Sequence, residues 1–215
     1  METGRLNRIL GFLVFIAFLT LTPDLSPVTA NSLLVKSARP PVINLSSPKN
    51  PDDKIYLGVS GKGPFRVDQI KAEVVIIQIL NHYCPTCQTT AKEMTELYQL
   101  IENNPTHRGK MKLIGIGAGN SLHEVEAFKE THNLPFPILP DKDFTIHKAL
   151  GEVRTPHTIA VRIGAKSPYK VVYSQPGGFA EPDQFLELIL NACGLKKGNL
   201  PEEKEDLGVS LAHWF

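Results

Sequence analysis

Two cysteines separated by two residues, Cys84 and Cys87, are the side chains of this sequence whose type and spacing point most directly to chemistry. They follow the apolar run Val74 to Leu80, and a helical pattern begins directly after them. Two thiols at the first turn of a helix can close into a disulfide and reopen, and the positive end of the helix dipole favours the thiolate. The pair is therefore predicted to carry out thiol–disulfide redox chemistry.

The two cysteines are predicted to have different roles. Cys84 is expected at the start of the helix, exposed and within reach of unpaired backbone N–H groups. Cys87 begins an apolar stripe on one face of the helix, which continues through Ala91, Met94, Tyr98 and Ile101. We predict that Cys84 is the nucleophile that forms a mixed disulfide and that Cys87 is the buried residue that resolves it.

A structural zinc site is the alternative for a CxxC pair. Such a site needs two further ligands at short spacing. The sequence contains no second CxxC and no HxxxH motif. Redox chemistry is therefore favoured, and neither a metal ion nor a cofactor is predicted.

The length and the charge of the chain limit its architecture and its partners. Its 215 residues suffice for one domain with a full core and some peripheral segments. With 23 basic and 22 acidic residues the formal net charge is +1. This balance indicates neither a nucleic acid nor an anionic membrane surface as a partner.

The first thirty residues are predicted to be a secretory signal peptide. Arg5 and Arg8 precede an apolar run from Ile9 to Leu21, and small residues end the segment at Ala30. An uncleaved anchor is the alternative, but about 13 apolar residues are fewer than the roughly 20 that a membrane-spanning helix needs. We expect cleavage after Ala30 and a domain outside the cytosol, in the periplasm or another extracytoplasmic space.

Hydrophobic patterns predict alternating strands and helices. Val74 to Leu80 and Met111 to Ile116 are typical of buried strands, and the helix between them makes a parallel βαβ unit. Thr158 to Ile163 and Lys170 to Tyr173 flank a turn and predict a hairpin. A last helix is predicted from Pro182 to Ala192.

Two further helices are predicted from their caps. Ser121 and Glu124 form a capping box that begins a helix ending near His132. Asp143 is predicted to cap a short helix that Gly151 closes.

The segments before the first buried strand are predicted to be less regular. Lys54 to Val59 and Phe65 to Val67 flank a turn and predict a small hairpin. The expected organisation is a signal peptide over 1–30, an extended lead-in over 31–51, one domain over 52–195 and a polar tail over 196–215.

The combination of Cys84-Pro85-Thr86-Cys87 at the first helix with Thr155-Pro156 before the hairpin resembles the thioredoxin superfamily. The segment Leu134 to Asp141 and the short helix after it are similar to the exported TlpA and peroxiredoxin-like (redoxin) group. The resemblance covers about residues 40 to 193. It implies a thioredoxin-like α/β fold, a central mixed sheet flanked by helices, built as βαβ then ββα with an N-terminal extension and one inserted helix.

The resemblance also implies a substrate site. In this family the Thr-Pro bond is cis and faces the disulfide, which leaves the backbone of Thr155 free to pair with an incoming peptide. A trans turn proline is the alternative for Pro156. Tyr83 stands where the family usually has tryptophan. Together with the two residues between the cysteines, the predicted substrate-binding set is Tyr83, Pro85, Thr86, Thr155 and Pro156.

The implied function is that of an exported thiol–disulfide oxidoreductase. Its substrates and its redox partner are expected to be proteins with dithiols or disulfides, and the protein is expected to be a monomer. The direction of exchange stays open, because reduction potentials on this scaffold range from about −270 to −120 mV.

Besides Tyr83, two further positions depart from the pattern of relatives. Gln78 replaces the buried aspartate of thioredoxin, and Thr90 replaces a glutamate found in some exported reductases. Because neither side chain is charged, no obvious base is predicted to deprotonate Cys87. Glu93, one turn later, is the candidate substitute, and a solvated helix face is its alternative role.

A thiol peroxidase with antioxidant activity is the nearest alternative function. Peroxiredoxins share the fold, but they need a proline and a threonine or serine before the peroxidatic cysteine. Ile77 and Asn81 occupy those two positions here, followed by His82 and Tyr83. The peroxide-binding pattern is therefore missing.

A non-enzymatic copper carrier is the second alternative. Copper-delivery proteins of this fold combine a cysteine pair with a histidine, and His82, His147 and His157 are candidates for that role. Those relatives typically space the cysteines as CxxxC, one residue more than the pair here. This spacing favours redox exchange.

Overall fold

The structure is a computed structural model that describes residues 41–164 and 169–195. The predicted signal peptide, its cleavage site and the polar tail 196–215 lie outside the described residues. The strands are β1 (Asn44–Leu45), β2 (Phe65–Arg66), β3 (Val74–Leu80), β4 (Met111–Ala118), β5 (Ile138–Asp141), β6 (His157–Arg162) and β7 (Lys170–Pro176). The helices are α1 (Pro51–Leu57), α2 (Pro85–Thr89), α3 (Ala91–Asn103), α4 (Leu122–Thr131), α5 (Thr145–Ala149) and α6 (Pro182–Cys193), with a 3-10 turn at Val67–Gln69. Within these residues no helix is both long enough and apolar enough to cross a membrane.

A five-stranded mixed sheet in the order β5-β4-β3-β6-β7 organises the domain. The strand β3 pairs in parallel with β4 and antiparallel with β6, and β7 completes the hairpin with β6. The predicted βαβ unit, the predicted hairpin and the thioredoxin-like fold class are thereby confirmed. The strand β3 is central and buried along its whole length, as its apolar sequence predicts.

The core lies in two layers, one on each face of the sheet. Along β3 the side chains alternate between the layers, because successive residues of a strand point to opposite faces. One layer contains Val74, Ile76 and Leu80 with Cys87 and buried residues of α3, α4 and α6. The other contains Val75, Ile77 and Ile79 with buried residues of α1 and α5. By this alternation the fully buried Gln78 lies on the same face of the sheet as Cys87.

The helical segment after the cysteine pair is broken at Thr90. The sequence predicts one helix, whereas α2 ends at Thr89 and α3 begins at Ala91. The Thr90 hydroxyl donates to the carbonyl of Cys87 at 3.1 Å, a local bond of the kind that bends helices. The apolar stripe nevertheless continues across the break, because Cys87 and Ala91 are both buried.

The predicted hairpin of Lys54 to Val59 with Phe65 to Val67 is wrong. Residues 54–57 of the first segment belong to α1, because Asn50 caps the helix by accepting from the N–H of Asp52 at 2.9 Å. Gly58 ends it with φ 66°, a conformation that glycine adopts without strain. The strand β2 pairs instead with β1, inside the segment expected to be an irregular lead-in.

The predicted cap of α5 is also wrong. Phe144, not Asp143, occupies the cap position, with φ 56°. The carboxylate of Asp141 accepts from the N–H groups of Ile146 at 3.0 Å and His147 at 2.8 Å. Asp141 ends β5, a short edge strand that the sequence pattern did not predict. The predicted capping box of α4 and the last helix, α6, are confirmed.

Candidate active site

The cysteine pair lies where the central strand passes into α2. Cys84 has an extended backbone and takes the cap position, and Pro85 follows at the first helical position, where a missing N–H does no harm. The N–H of Cys87 donates to the Sγ of Cys84 at 3.4 Å. The sulfur of Cys84 therefore occupies the place of a capping oxygen, at the positive end of the helix.

The turn that carries Cys84 is fixed by hydrogen bonds to the end of β4. The side-chain amide of Asn81 donates to the carbonyl of Ala118 at 2.7 Å, and the N–H of His82 donates to Oδ1 of Asn120 at 2.8 Å. The oxygen of the Asn81 amide also accepts from the N–H of Tyr83 at 2.9 Å. The turn thus has a defined backbone that does not depend on the cysteine chemistry.

Cys84 lies against the segment that precedes β6. Its Sγ is 3.6 Å from the carbonyl oxygen of Thr155, and the peptide bond between Thr155 and Pro156 is cis. Pro156 is buried, whereas Thr155 and Cys84 are half-buried. Pro85 and Thr86 are exposed beside them. The predicted site residues Thr155, Pro156, Pro85 and Thr86 therefore lie beside the half-buried sulfur of Cys84.

The two thiols have opposite acidities. Burial favours the neutral thiol of Cys84, but hydrogen bonds from the thiol and the backbone N–H of Cys87, together with one from the Thr155 side chain, outweigh it and hold the pKa of Cys84 below its usual value. Burial, together with the hydrogen bond of its thiol to Cys84, raises the pKa of Cys87 to about 12. Cys87 is fully buried, and both cysteines are thiols in this structure. The accessible sulfur is therefore the better thiolate, and the buried one keeps its proton.

The two positions where relatives carry an acid are occupied by neutral, packed side chains. Gln78 accepts from the hydroxyl of Thr158 at 2.8 Å through Oε1, while its buried Nε2 has no partner in the described part of the protein. Thr90 faces Gly178, where a Cβ atom would lie 2.6 Å from the Thr90 methyl. Neither side chain can accept a proton from Cys87 at neutral pH.

Glu93 is not a fully solvated residue. It is half-buried, and its Oε2 is buried without a hydrogen-bond partner among the described residues. In the same residues no hydrogen bond joins Glu93 to Cys84 or Cys87. Its predicted role as a substitute base for Cys87 stays a prediction.

Tyr83 has a partner that the sequence did not reveal. The residue is 67% exposed, and its hydroxyl donates to Oε1 of Glu124 at 2.7 Å. The capping-box pattern predicted that Glu124 would bond to Ser121, which it does, but nothing in a local pattern links residues 83 and 124. Only the packing of α4 beside the cysteine turn brings them together.

The three histidines considered for copper have different surroundings. The ring of His82 packs edge-on against Tyr83, with centroids 4.8 Å apart. The Nε2 of His147 lies 2.8 Å from the carbonyl of Val153, and that of the buried His157 lies 2.8 Å from the Ser174 hydroxyl. In residues 41–164 and 169–195 no group of three or more His, Cys, Asp or Glu side chains is arranged to hold a metal ion.

Two surface cavities lie apart from the cysteine pair. One, of about 650 Å³, lies between α3 and α6, and the other, of about 590 Å³, lies between the start of α1 and α4. Neither is lined by Cys84 or Cys87. Cys84 is half-buried, and its chain neighbours Tyr83, Pro85 and Thr86 are exposed at the open surface.

Comparisons with known proteins identify relatives and structures with the same fold. Thiol-disulfide oxidoreductase ResA from Halalkalibacterium halodurans is 25% identical over 123 residues, which are 56% of this chain and 65% of that protein. The chain thus matches slightly less than two thirds of that relative. StoA from Bacillus subtilis has the same fold with a TM-score of 0.51, at 15% identity over 71% of this chain and 99% of that one.

The thioredoxin domain of a thiol-disulfide oxidoreductase from Bacteroides vulgatus also shares the fold. Its TM-score is 0.53, at 15% identity over 74% of this chain and 99% of that chain. The AhpC/TSA family model matches residues 52–177, more than half of the sequence. The chain therefore belongs to the AhpC/TSA family, within the redoxin branch of the thioredoxin-like fold that its cysteine and proline motifs resemble.

Proposed function

We propose that the protein is an exported thiol–disulfide oxidoreductase that exchanges the Cys84–Cys87 dithiol or disulfide with protein thiols. The observation that carries the proposal is the contrast between the two sulfurs. Cys84 is accessible with a lowered pKa, and Cys87 is buried with a raised pKa. The similarity to ResA supports the same class of reaction.

The exchange runs through a mixed disulfide. The Cys84 thiolate attacks one sulfur of a substrate disulfide, a new S–S bond forms, the substrate bond breaks, and the released thiolate takes a proton from solvent. Cys87 then gives up its proton and attacks the sulfur of Cys84, which releases the second substrate thiol. The dithiol loses two electrons, and the substrate disulfide gains them. The reverse sequence oxidises a substrate dithiol.

The substrate segment is proposed to lie across Cys84 against Thr155. The distance of 3.6 Å between the Cys84 sulfur and the Thr155 carbonyl supports a site in which the backbone of Thr155 pairs with an extended peptide. The exposed Tyr83, Pro85 and Thr86 supply the remaining surface of this site.

Trapping tests the roles of the two cysteines. Protein recovered after export from cells that express the full chain is analysed on non-reducing gels. The Cys87→Ser variant is expected to accumulate mixed disulfides that a reductant releases, and Cys84→Ser is expected to form none. Cys193→Ser is the matched control, because Cys193 is a buried thiol at the end of α6 and outside the CxxC motif. Accumulation in Cys84→Ser but not in Cys87→Ser would reverse the assignment.

Export is proposed from the sequence of residues 1–30, with a pattern typical of a cleaved signal. Sequencing of the mature N-terminus is expected to begin at Asn31. A protein that begins at Met1 would instead indicate an anchor. The reduction potential of the cysteine pair against glutathione decides the direction of transfer, since a value near −270 mV indicates a reductase and one near −120 mV an oxidase.

A thiol peroxidase is the second candidate, and the match to the AhpC/TSA family is the observation that favours it. Against it, Asn81 occupies the position of the peroxide-binding hydroxyl, and its amide is engaged with Ala118 and Tyr83. Reduced protein mixed with hydrogen peroxide is expected to lose its thiols slowly. A rapid second-order loss of the Cys84 thiol would establish the peroxidase instead.

A further inference from the structure

A hydrogen bond to a charged acceptor joins Tyr83 to Glu124 on α4, a helix that contributes no other residue to the proposed site. Tyr83 directly precedes Cys84, and its hydroxyl donates to Oε1 of Glu124 at 2.7 Å, across 41 positions of sequence. A free exposed tyrosine samples several rotamers. A short bond to a charged acceptor favours one of them.

Glu124 is itself held in place. Its second oxygen, Oε2, accepts from the N–H of Ser121 at 2.7 Å and from the Ser121 hydroxyl at 2.6 Å. These bonds and the one from Tyr83 lower the pKa of Glu124 to about 2, so the carboxylate is charged at any physiological pH. One oxygen caps α4 and the other is free to hold Tyr83.

The backbone of the turn does not need this contact. Asn81 and His82 already bind the turn to Ala118 and Asn120. Removing the Glu124 contact should therefore release the ring of Tyr83 without moving Cys84. A role in fixing the ring can thus be separated from a role in folding.

We propose that Glu124 is a positioning residue that fixes the ring of Tyr83 as one wall of the substrate site. The proposal rests on the proposed oxidoreductase function. A peptide that lies along Thr155 and reaches Cys84 would pack against this wall, whereas a small disulfide can approach the sulfur without it. Glu124 would thereby favour extended protein substrates over small disulfides.

The kinetic test compares two substrates with four full-length variants. Reduced protein is mixed with a disulfide-containing extended peptide or with glutathione disulfide, and the second-order rate constant is measured by stopped flow. Tyr83→Phe removes only the hydroxyl, and Glu124→Gln removes the charge but can still cap the helix. Their double variant completes the cycle, and Glu126→Gln, an exposed acid on the same helix, is the matched control.

Each single variant is expected to lower the rate constant for the peptide about 3- to 10-fold, the net effect of one hydrogen bond. The double variant should be no slower than either single variant, because both remove the same bond. In Glu124→Gln the rate constant for glutathione disulfide should not change, and neither should any rate of Glu126→Gln. Additive losses in the double variant, or equal losses with both substrates, would overturn the proposal.

A spectroscopic measurement tests the contact without activity. The bond to Glu124 raises the pKa of Tyr83, so the phenol titration followed by NMR of labelled tyrosine should move to lower pH in Glu124→Gln. An unchanged titration would show that the contact does not form in solution and would overturn the proposal. Wild-type protein that in its reduced form reduces neither disulfide and in its oxidised form oxidises no peptide dithiol would instead contradict the proposed function, and the titration would still decide the contact.

Discussion

The sulfur of Cys84 lies 3.6 Å from the carbonyl oxygen of Thr155, although 71 positions separate the two residues. The pairing of β3 with β6 produces this contact. Ile79, near the end of β3, lies opposite His157, at the start of β6. Because the two strands are antiparallel, the residues just after β3 and just before β6 lie next to each other at the same end of the strands.

Hydrogen bonds from the thiol and the backbone N–H of Cys87, and a weaker one from the Thr155 side chain, lower the pKa of Cys84, while Cys87 is buried beneath it. At pH 7, iodoacetamide is expected to modify Cys84 and to leave Cys87 unmodified in the folded, reduced protein. The thiolate fraction grows as the pH rises through the pKa, so the rate profile for Cys84 should have its midpoint at a lower pH than that of an ordinary cysteine. The raised pKa of Cys87, about 12, keeps it protonated throughout this range.

Mass spectrometry of the Cys87→Ser and Cys84→Ser variants measures the alkylation rates of Cys84 and Cys87 separately. Unfolding in denaturant serves as the control, because both cysteines should then react alike. Equal rates in the folded state would contradict the assigned acidities.

The contact between Gln78 and Thr158 leads to a prediction about stability. Gln78→Met removes a buried N–H that lacks a partner, and the Thr158 hydroxyl keeps a second acceptor, the carbonyl of Gly177 at 3.0 Å. The free energy of unfolding should therefore stay equal or rise by about 1 kcal/mol. Thr158→Val should lower it by about 1–3 kcal/mol, because it leaves the Gln78 oxygen buried and unpaired.

Urea denaturation of both variants measures these changes. A loss of stability in Gln78→Met comparable to that in Thr158→Val would mean that Nε2 of Gln78 has a partner in solution, such as ordered water or the sulfur of Cys87.

The elements that place the cysteines could be predicted because their signals are local and strong. The run Val74 to Leu80 is apolar throughout, and the Cys84 motif follows it immediately. The prediction of a strand over Lys54 to Val59 is wrong because Asn50 and Gly58 cap the two ends of a helix there, and these caps stabilise the helix despite the strand-like sequence pattern.

The contacts across the site could not be predicted in the same way. Tyr83 and Glu124 meet because the end of β4 and the start of α4 pack beside the cysteine turn. The strand β5 has only four residues and lies at the edge of the sheet. Its strand conformation depends on pairing with β4 more than on the hydrophobic pattern of its own residues. Such features depend on tertiary packing.

Gly178 is predicted to be required for close packing under the active-site helix. A Cβ at this position would lie 2.6 Å from the Thr90 methyl, and the bond from Thr90 to the Cys87 carbonyl restricts any adjustment. Gly178→Ala should lower the free energy of unfolding by about 1–3 kcal/mol. Adding Thr90→Ser, which removes the methyl and keeps the hydroxyl, should restore part of the loss.

Thermal unfolding of the single and double variants measures this coupling. Gly63→Ala is the control, since its new Cβ would meet no atom within 4 Å. Equal losses in the single and double variants would show that the Thr90 methyl is not the obstacle.

The cap of α5 provides a prediction that separates two neighbouring aspartates. The buried carboxylate of Asp141 accepts two backbone N–H bonds at the start of the helix, so Asp141→Ala should lower the free energy of unfolding by about 1–2 kcal/mol. Asp143→Ala should change it by less than about 0.5 kcal/mol, because Asp143 is exposed and does not cap the helix. Chemical denaturation of the two variants under identical conditions compares them directly. A larger loss of stability in Asp143→Ala than in Asp141→Ala would indicate that Asp143 caps the helix, as the sequence pattern predicts, and would contradict the hydrogen bonds to Asp141.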